Sequence, residues 1–281
     1  MRNHRGFTLI ELLIVLVIML TVTASLFKVL NGTQRLSRAQ AERVDLQSNV
    51  RTAALVVPTE LRELNAVVGG NAWQNDILDR QLTSVRYRAM RGMGFICQAT
   101  ATQWRVPVST WTGYRAPAGA PRDAAYLFVE GATIALDSWL PVTTGAVSTT
   151  TCPDGTNAYA FVVPSIAVPA NGTPVRIYEE MELSLYVVDG KSWLGARSVS
   201  AGEVAPQPLL GPLRTTDGLK FEYFDGAGAT ATANSNIKSV VLTVRGETSQ
   251  KVTAGGGSSA TNSYVQDSLV TRVSLRNSFR P

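Results

Sequence analysis

Gly6-Phe-Thr-Leu-Ile-Glu11-Leu-Leu-Ile-Val-Leu-Val-Ile-Met-Leu20 is the stretch of sequence that decides the fold of this chain. Softer apolar sequence continues to Leu30, and a helix over residues 7–30 would be about 36 Å long at about 1.5 Å per residue. That length is enough to cross the hydrocarbon core of a bilayer, which is about 30 Å thick. No later segment is as long and as free of charge. The sequence therefore predicts one membrane-spanning helix, followed by a remainder outside the membrane.

A short basic leader, residues 1–6, precedes the apolar stretch and contains Arg2 and Arg5. A secretory signal peptide has its small-residue cleavage site after the apolar region, and here no such site follows. Basic residues that flank a membrane helix favour the cytoplasmic side. We therefore expect the leader in the cytoplasm and the large C-terminal part on the other side of the membrane, anchored by a single pass.

Glu11 is the acidic residue inside this apolar run. A carboxylate within a membrane helix costs about 2.5–3.5 kcal/mol on insertion scales, and such residues are usually functional. The alternative explanation is that Glu11 reaches the interface from the end of the helix. The position of Glu11 directly after Gly6-Phe7-Thr-Leu-Ile10 favours a functional role.

Gly6-Phe7-Thr-Leu-Ile-Glu11-Leu12 resembles, residue for residue, the prepilin peptidase signal of the type IV pilin and pseudopilin superfamily. The resemblance implies cleavage between Gly6 and Phe7 and N-methylation of the new Phe7 amine. It also implies that Glu11 pairs with the N-terminal ammonium of a neighbouring subunit, in a low-dielectric bundle where such pairing is strong. The implied partners are prepilin peptidase, other pilins or pseudopilins, and an inner-membrane assembly platform.

A second, amphipathic half of the helix is predicted over residues 31–66. Its apolar positions recur at steps of three or four, at Leu46, Val50, Ala53, Val57, Leu61 and Leu64. Pro58 removes an amide donor, which predicts a kink or a new helix start there. Gly32 and the β-branched run at residues 21–23 are weaker candidates for local unwinding.

Residues 67–281 are predicted to form a β-rich domain, because alternating apolar segments are separated by turn residues. The predicted strands cover residues 84–90, 103–108, 125–129, 158–163, 175–188, 191–199, 219–224, 237–247 and 268–277. Asp189-Gly190 predicts a type I′ hairpin turn, and the polar, glycine-rich segment 248–266 predicts a flexible loop. The expected fold class is α+β, with a long N-terminal α-helix packed on an antiparallel globular domain.

Two cysteines, Cys97 and Cys152, occur in the part expected outside the inner membrane. A cysteine pair in an oxidising compartment is usually bridged, and closing a loop of this length contributes about 4 kcal/mol in the chain-entropy model. Two buried free thiols are the alternative. The sequence favours a disulfide between Cys97 and Cys152.

The C-terminal third has a narrower resemblance. Segments 219–225, 237–246 and 271–277 look like those of PilW-like minor pilins and of the J pseudopilin of type II secretion. The resemblance implies a minor subunit that primes or caps a type IV pilus or a secretion pseudopilus, and the sequence does not distinguish these two assemblies. The alternative is a pilus-tip adhesin or DNA-binding receptor on the same anchor.

Enzymatic residue sets are missing from the sequence. Its single histidine, His4, lies in the leader, which excludes histidine-based triads and most zinc sites. We therefore expect no catalytic residues, no metal and no cofactor. Removing residues 1–6 takes away Arg2 and Arg5 and lowers the formal charge from +5 to +3, so nucleic acid is possible as a partner but unsupported.

Two charged groups and a glycine pair have competing explanations. Glu179, Glu180 and Glu182 are expected on a solvated strand face rather than in acid–base catalysis. The arginines at 80, 86, 88 and 91 are expected on a solvated strand face, with contact to DNA or an acidic partner as the alternative. Arg91-Gly-Met-Gly94 predicts a turn rather than a phosphate cradle.

Overall fold

One long helix, α1 (Leu9–Arg62), dominates the N-terminal part of the computed structural model, which describes residues 8–66, 75–133, 137–254 and 261–275. The leader, Gly6 and Phe7 lie outside the described residues. The helix begins after Thr8, and from Leu46 onward a stripe of side chains is buried against the globular domain. The described residues before Glu42 are almost all exposed.

Helix α1 continues without a break through every position where the sequence predicted unwinding. The predicted new helix start at Pro58 is wrong, because Pro58 is buried within α1 and packing against the domain offsets the missing amide donor, whereas the kink there stays a prediction. The hydroxyls of Thr21 and Thr23 donate to the carbonyls of Ile18 and Met19, at 2.8 and 2.7 Å, so these residues are accommodated within the helix. Gly32 is likewise helical.

The rest of the described chain is β-rich. The strands are β1 (Ile77–Arg80), β2 (Ser84–Phe95), β3 (Gln98–Ala99), β4 (Gln103–Pro107), β5 (Thr112–Gly113), β6 (Asp123–Val129), β7 (Ser138–Val142), β8 (Val147–Thr151), β9 (Asn157–Val162), β10 (Pro174–Val188), β11 (Lys191–Ser198), β12 (Gln207–Leu213), β13 (Leu219–Phe224), β14 (Ser239–Glu247), β15 (Val252–Ala254), β16 (Thr261–Ser263) and β17 (Gln266–Ser274). All the pairings between them are antiparallel, which confirms the α+β class.

The main sheet has eleven strands and follows the order β1-β2-β10-β11-β12-β14-β13. Strand β17 pairs with the other edge of β14, and β6 and β7 branch from β10. The buried stripe of α1 packs on this sheet, where Val57 and Leu61 share a core with Phe221 and Leu242. This sheet therefore positions the second half of the helix.

The strand β10 has a fork along one edge. It pairs with β2 over 174–184 on one side, while on the other side it pairs first with β6 over 175–179 and then with β11 over 181–188. Glu179 is the last residue of β10 opposite β6. The side chain of Glu179 therefore lies where the pairing with β6 ends and the pairing with β11 begins, within reach of donors from both segments.

A long excursion between β2 and β10, residues 96–173, forms a second unit that we call the insert. The chain leaves and re-enters at neighbouring positions, since Phe95 and Pro174 are paired and the Ile96 amide donates to the Thr173 carbonyl at 3.0 Å. The insert contains a separate four-stranded sheet, β3-β4-β9-β8, and a core around Trp104 and Phe161.

The glycine pair at Gly92 and Gly94 lies inside β2, so the predicted turn there is wrong. A Cβ on Gly92 would lie 2.2 Å from the indole of Trp111, and one on Gly94 would lie 2.4 Å from Val106. The glycines are therefore needed for close packing of the insert on the sheet.

All nine predicted strands are present, with ends shifted by a few residues. The Asp189-Gly190 turn is confirmed, since both residues have positive φ, 51° and 73°. The segment 248–266 differs from a plain loop, because β15 and β16 pair there as a two-stranded ribbon that continues the β14–β17 hairpin. Its mobility stays a prediction, and residues 255–260 lie outside the described part.

Gly246 provides a test of how the helix is seated. A Cβ at this position would lie 2.6 Å from Cδ1 of Leu46 and 2.8 Å from Cγ2 of Val50. We expect Gly246→Val to destabilise the domain by about 1–3 kcal/mol, the usual cost of overpacking, and thermal unfolding of the full chain in detergent would measure it. The matched control is Gly226→Val, because the nearest atom to a Cβ there is 3.8 Å away. Equal melting temperatures for the two variants would contradict this packing.

Candidate functional site

The first turn of α1 holds the predicted assembly residue Glu11 in a capping box. Its backbone amide donates to the Thr8 hydroxyl at 3.3 Å, and its carboxylate accepts from the Thr8 amide and hydroxyl, each at 3.3 Å. Thr-x-x-Glu is a common sequence pattern for this cap, so the sequence contained a clue that the reasoning from the motif alone missed. A negative charge in the first turn is also favoured by the helix dipole.

These three contacts leave Glu11 available to another group. Distances of 3.3 Å are longer than the usual range for hydrogen bonds, and both side chains are exposed. A carboxylate can form a shorter, stronger bond with an ammonium group. The capping box therefore stabilises Glu11 within its own chain, through bonds that a cationic partner could replace.

The helix that follows is apolar and uncovered. Its large apolar side chains between residues 9 and 30 are 50 % (Leu16) to 85 % (Leu9) exposed. Among the described residues, α1 is the one helix long and apolar enough to cross a membrane, judged by length and composition. This surface requires a nonaqueous cover of some kind.

The globular domain holds the helix first at Glu42. The Glu42 carboxylate accepts hydrogen bonds from the backbone amides of Ser249 and Gln250, at 2.8 and 3.3 Å, where β14 leads into the ribbon. Asn49 donates to the Gly211 carbonyl at 2.8 Å. Residues 8–41 thus project from the domain as a largely exposed helix.

A buried charge cluster lies at the fork of β10, and its centre is Glu179, whose side chain is 2 % exposed. Arg91 donates to this carboxylate at 2.9 Å and Arg122 at 2.7 Å. Arg115 and the Ser198 hydroxyl also donate, at 3.2 and 2.5 Å. The predicted solvated position of Glu179 is therefore wrong, because the fork brings four donors from separate segments to this one carboxylate.

The cluster extends to the insert in one direction and to α1 in the other. Arg115 also pairs with Asp123, whose carboxylate accepts from the Ala118 amide. On the opposite side, Arg91 lies 3.5 Å from the carboxylate of Glu60 on the helix. The Glu179 cluster therefore connects the helix, the main sheet and the insert.

The pKa of Glu179 reflects two opposing effects. Burial raises it, but the hydrogen bonds from Ser198, Arg91, Arg122 and Arg115 outweigh burial and lower the pKa to about 2. Because the ordinary value is 4.5, the folded chain favours the ionised form. The three positive charges of Arg91, Arg115 and Arg122 are balanced by the three negative charges of Glu179, Asp123 and Glu60. The cluster is therefore close to neutral and serves as a structural junction.

The other predicted charged residues are also engaged within the domain. Arg86 pairs with Glu180 at 2.5 Å, and Glu182 pairs with Arg197 at 2.7 Å. The guanidinium of Arg88 donates to the Tyr126 hydroxyl at 2.8 Å, while that of Arg80 donates to backbone carbonyls. The prediction of a solvated strand face is wrong for Arg91, whose side chain is 14 % exposed, whereas the side chain of Arg86 is 41 % exposed.

Asp76 joins the end of the helix segment to the sheet. Its carboxylate accepts from the Asn65 amide at 2.7 Å, and its carbonyl accepts from the Arg88 amide at 2.8 Å. Burial raises the pKa of Asp76 to about 7, and the Asn65 hydrogen bond and the charges of Arg88 and Arg176 only partly oppose that rise. The carboxyl stabilises this junction most when it is protonated.

The predicted bridge between Cys97 and Cys152 is present. It ties the start of the insert, just after β2, to the turn between β8 and β9. Among the described residues, no group of three His, Cys, Asp or Glu side chains is placed to hold a metal ion. The roles predicted for Gly6 and Phe7 stay predictions, since both residues lie outside the described part.

The comparison with known families identifies the N-terminus. The family model described as "Prokaryotic N-terminal methylation motif" matches residues 1–27. No curated protein and no solved structure matches the chain. The match covers the leader, Gly6, Phe7 and the capping box at Thr8 and Glu11.

Replacing Glu179 tests the charge cluster. A folded-state pKa of about 2 against an ordinary 4.5 means that this group stabilises the fold above pH 4.5 and that its contribution is lost as the pH falls towards 2. We expect Glu179→Gln to remove about 3 kcal/mol at neutral pH and to flatten the loss of stability between pH 4.5 and 2. Glu182→Gln, on the same strand with a half-exposed partner, is the control and should cost about 1 kcal/mol or less. Similar pH profiles for both variants would argue against the cluster.

The disulfide is tested by replacing both cysteines with serine. We expect the double variant to lose up to about 4 kcal/mol of stability because the unfolded insert gains conformational freedom. Thermal unfolding with and without reductant measures the loss, and reductant should lower the melting temperature of the wild type alone. The bridge would be disproved if reductant did not change the melting temperature of the wild type and if that temperature equalled the variant's.

Proposed function

We propose that this chain, whose N-terminus carries the methylation motif of the type IV pilin and pseudopilin superfamily, is a minor subunit that primes or caps a type IV pilus or a type II secretion pseudopilus. The observation that supports the proposal is the uncovered apolar helix that carries Glu11 in its first turn and projects from a globular domain. Such a helix fits first a bilayer and then a bundle of similar helices.

Membrane storage comes first in this proposal. The motif implies processing by prepilin peptidase and assembly with other pilins. The apolar part of α1 anchors the subunit in the bacterial inner membrane, with the β-rich domain in the periplasm. Cleavage after Gly6 then leaves an ammonium group at Phe7, one residue before the capping box.

Entry into the filament follows by exchange of the partner of Glu11. In the single chain, the Glu11 carboxylate accepts two bonds of 3.3 Å, from the amide and the hydroxyl of Thr8. An ammonium from a neighbouring subunit offers a charged donor in an apolar bundle, where ion pairing is stronger than in water. The inner-membrane assembly platform would present the subunits in the register that this pairing requires.

A minor role is supported by the size of the domain. The insert adds a second sheet, a second core and a disulfide to the helix-and-sheet unit that carries α1. A subunit present in few copies at the end of a filament can carry a large domain, because that domain does not have to be packed at every repeat along the filament. The proposal is a structural subunit rather than an enzyme.

The adhesin or DNA-receptor alternative has less support. Its sequence basis was the arginine group at residues 80–91, and these side chains are engaged with carboxylates, carbonyls and tyrosines of their own domain. Contacts of this kind occupy guanidinium donors that a phosphate backbone would otherwise bind. We therefore favour assembly as the function.

Two substitutions separate the capping role of Glu11 from its proposed role between subunits. Glu11→Gln keeps a side chain that can complete the capping box but removes the charge. Thr8→Val removes the capping hydroxyl and keeps the charge. We expect Glu11→Gln to reduce the amount of subunit in sheared surface filaments at least tenfold, and Thr8→Val to reduce it less than threefold.

Mass spectrometry of the mature N-terminus is the control for processing. Both variants should show cleavage before Phe7, whereas Gly6→Leu should accumulate the unprocessed chain. Normal incorporation of Glu11→Gln, or equal defects in Glu11→Gln and Thr8→Val, would refute the pairing between subunits. A wild-type chain that keeps residues 1–6 would refute the proposed function as a whole.

A further inference from the structure

Three basic residues lie on α1 between its apolar part and the domain. They are Lys28, Arg35 and Arg38, and the sequence contains no acidic residue between Glu11 and Glu42. All three side chains are exposed, and none of them forms an ion pair within the described part of the chain. This stretch is therefore a purely cationic segment of an exposed helix.

The three residues share one face of the helix. Lys28 and Arg35 are seven residues apart, just under two turns, and Arg38 is just under one turn beyond Arg35. Leu46 follows Arg35 by about three turns, so it points in the same direction, and Leu46 is buried against the domain. The basic face is thus in line with the stripe of the helix that is buried against the domain further along α1.

The height of this face matches the edge of a bilayer. Residues 9–30 of α1 span about 33 Å, close to the thickness of a hydrocarbon core. Lys28 then lies at the edge of the core, Arg35 about 8 Å above Leu30 and Arg38 about 12 Å above it. Headgroups occupy roughly the first 6 Å beyond the core, and long basic side chains reach back towards them.

We propose that Lys28, Arg35 and Arg38 form a binding site for the phosphates of phospholipid headgroups in the outer leaflet of the inner membrane. Guanidinium groups bind phosphate oxygens with paired donors, and an ammonium adds a point charge. The site rests on the membrane stage of the proposed function. It holds the subunit at a fixed depth, with Glu11 at the opposite end of the bilayer, until the filament removes the subunit from the lipid.

Lipid retention by the full chain tests the site. The wild type is extracted from nanodiscs of phosphatidylglycerol and phosphatidylethanolamine, and native mass spectrometry counts the phospholipids that stay bound. We expect the triple variant Lys28→Gln, Arg35→Gln, Arg38→Gln to retain at least tenfold less phospholipid than the wild type. The matched control, Arg43→Gln, Arg51→Gln, Arg62→Gln, removes the same charge from the part of the helix beside the domain and should retain lipid normally.

Three outcomes would overturn the site. These are equal retention by the triple variant and the wild type, an equal loss in both triple variants, and a wild type that binds inorganic phosphate from the buffer but no phospholipid. The assay uses the unassembled subunit, so Glu11→Gln should retain lipid normally while failing to enter filaments. A wild-type chain that retains lipid normally but is absent from sheared filaments would count against the proposed function alone.

Discussion

An apolar helix without cover is the constraint on which the rest of this molecule depends. The side chains of residues 9–30 are exposed in the single chain, and hydrophobic surface of that extent is stable only in lipid or against similar surface. The domain therefore has to hold the helix from one end only. It does so from Glu42 onward, through two backbone amides and then the stripe that starts at Leu46.

The interior of the domain shows how a charge can serve as a rigid junction. At the fork of β10, hydrophobic side chains could not satisfy the arginines that arrive from β2 and from the insert. The Glu179 carboxylate accepts from all of them, and Arg91 extends the connection to Glu60 on the helix. Removing one member of such a cluster leaves buried charge without compensation. The orientation of the insert relative to the helix is thereby linked to ionised groups rather than to packing alone.

Local patterns predicted most elements of this fold, and long-range packing decided the rest. Asp189-Gly190 could be read from sequence because its positive φ values are a local requirement. The continuity of the helix through Pro58 could not be read from sequence, since burial against the domain outweighs the local preference for a break. The place of Gly92 within a strand and the burial of Glu179 could not be read from sequence either. Gly92 leaves room for the indole of Trp111, and the partners of Glu179 come from distant segments. In the candidate site, Glu11 was identified from its motif, whereas its bonds to Thr8 appeared only in the structure.

The pairing of Phe95 with Pro174 gives the subunit a natural splice point. A foreign domain with closely spaced termini could replace residues 96–173 and leave the β2–β10 ladder in register. The exchange would also take away Arg115 and Arg122, so an apolar residue at position 179 would have to accompany it. With that change, the molecule would become a scaffold for displaying cargo, because the anchor and the exchanged unit meet the sheet at different places.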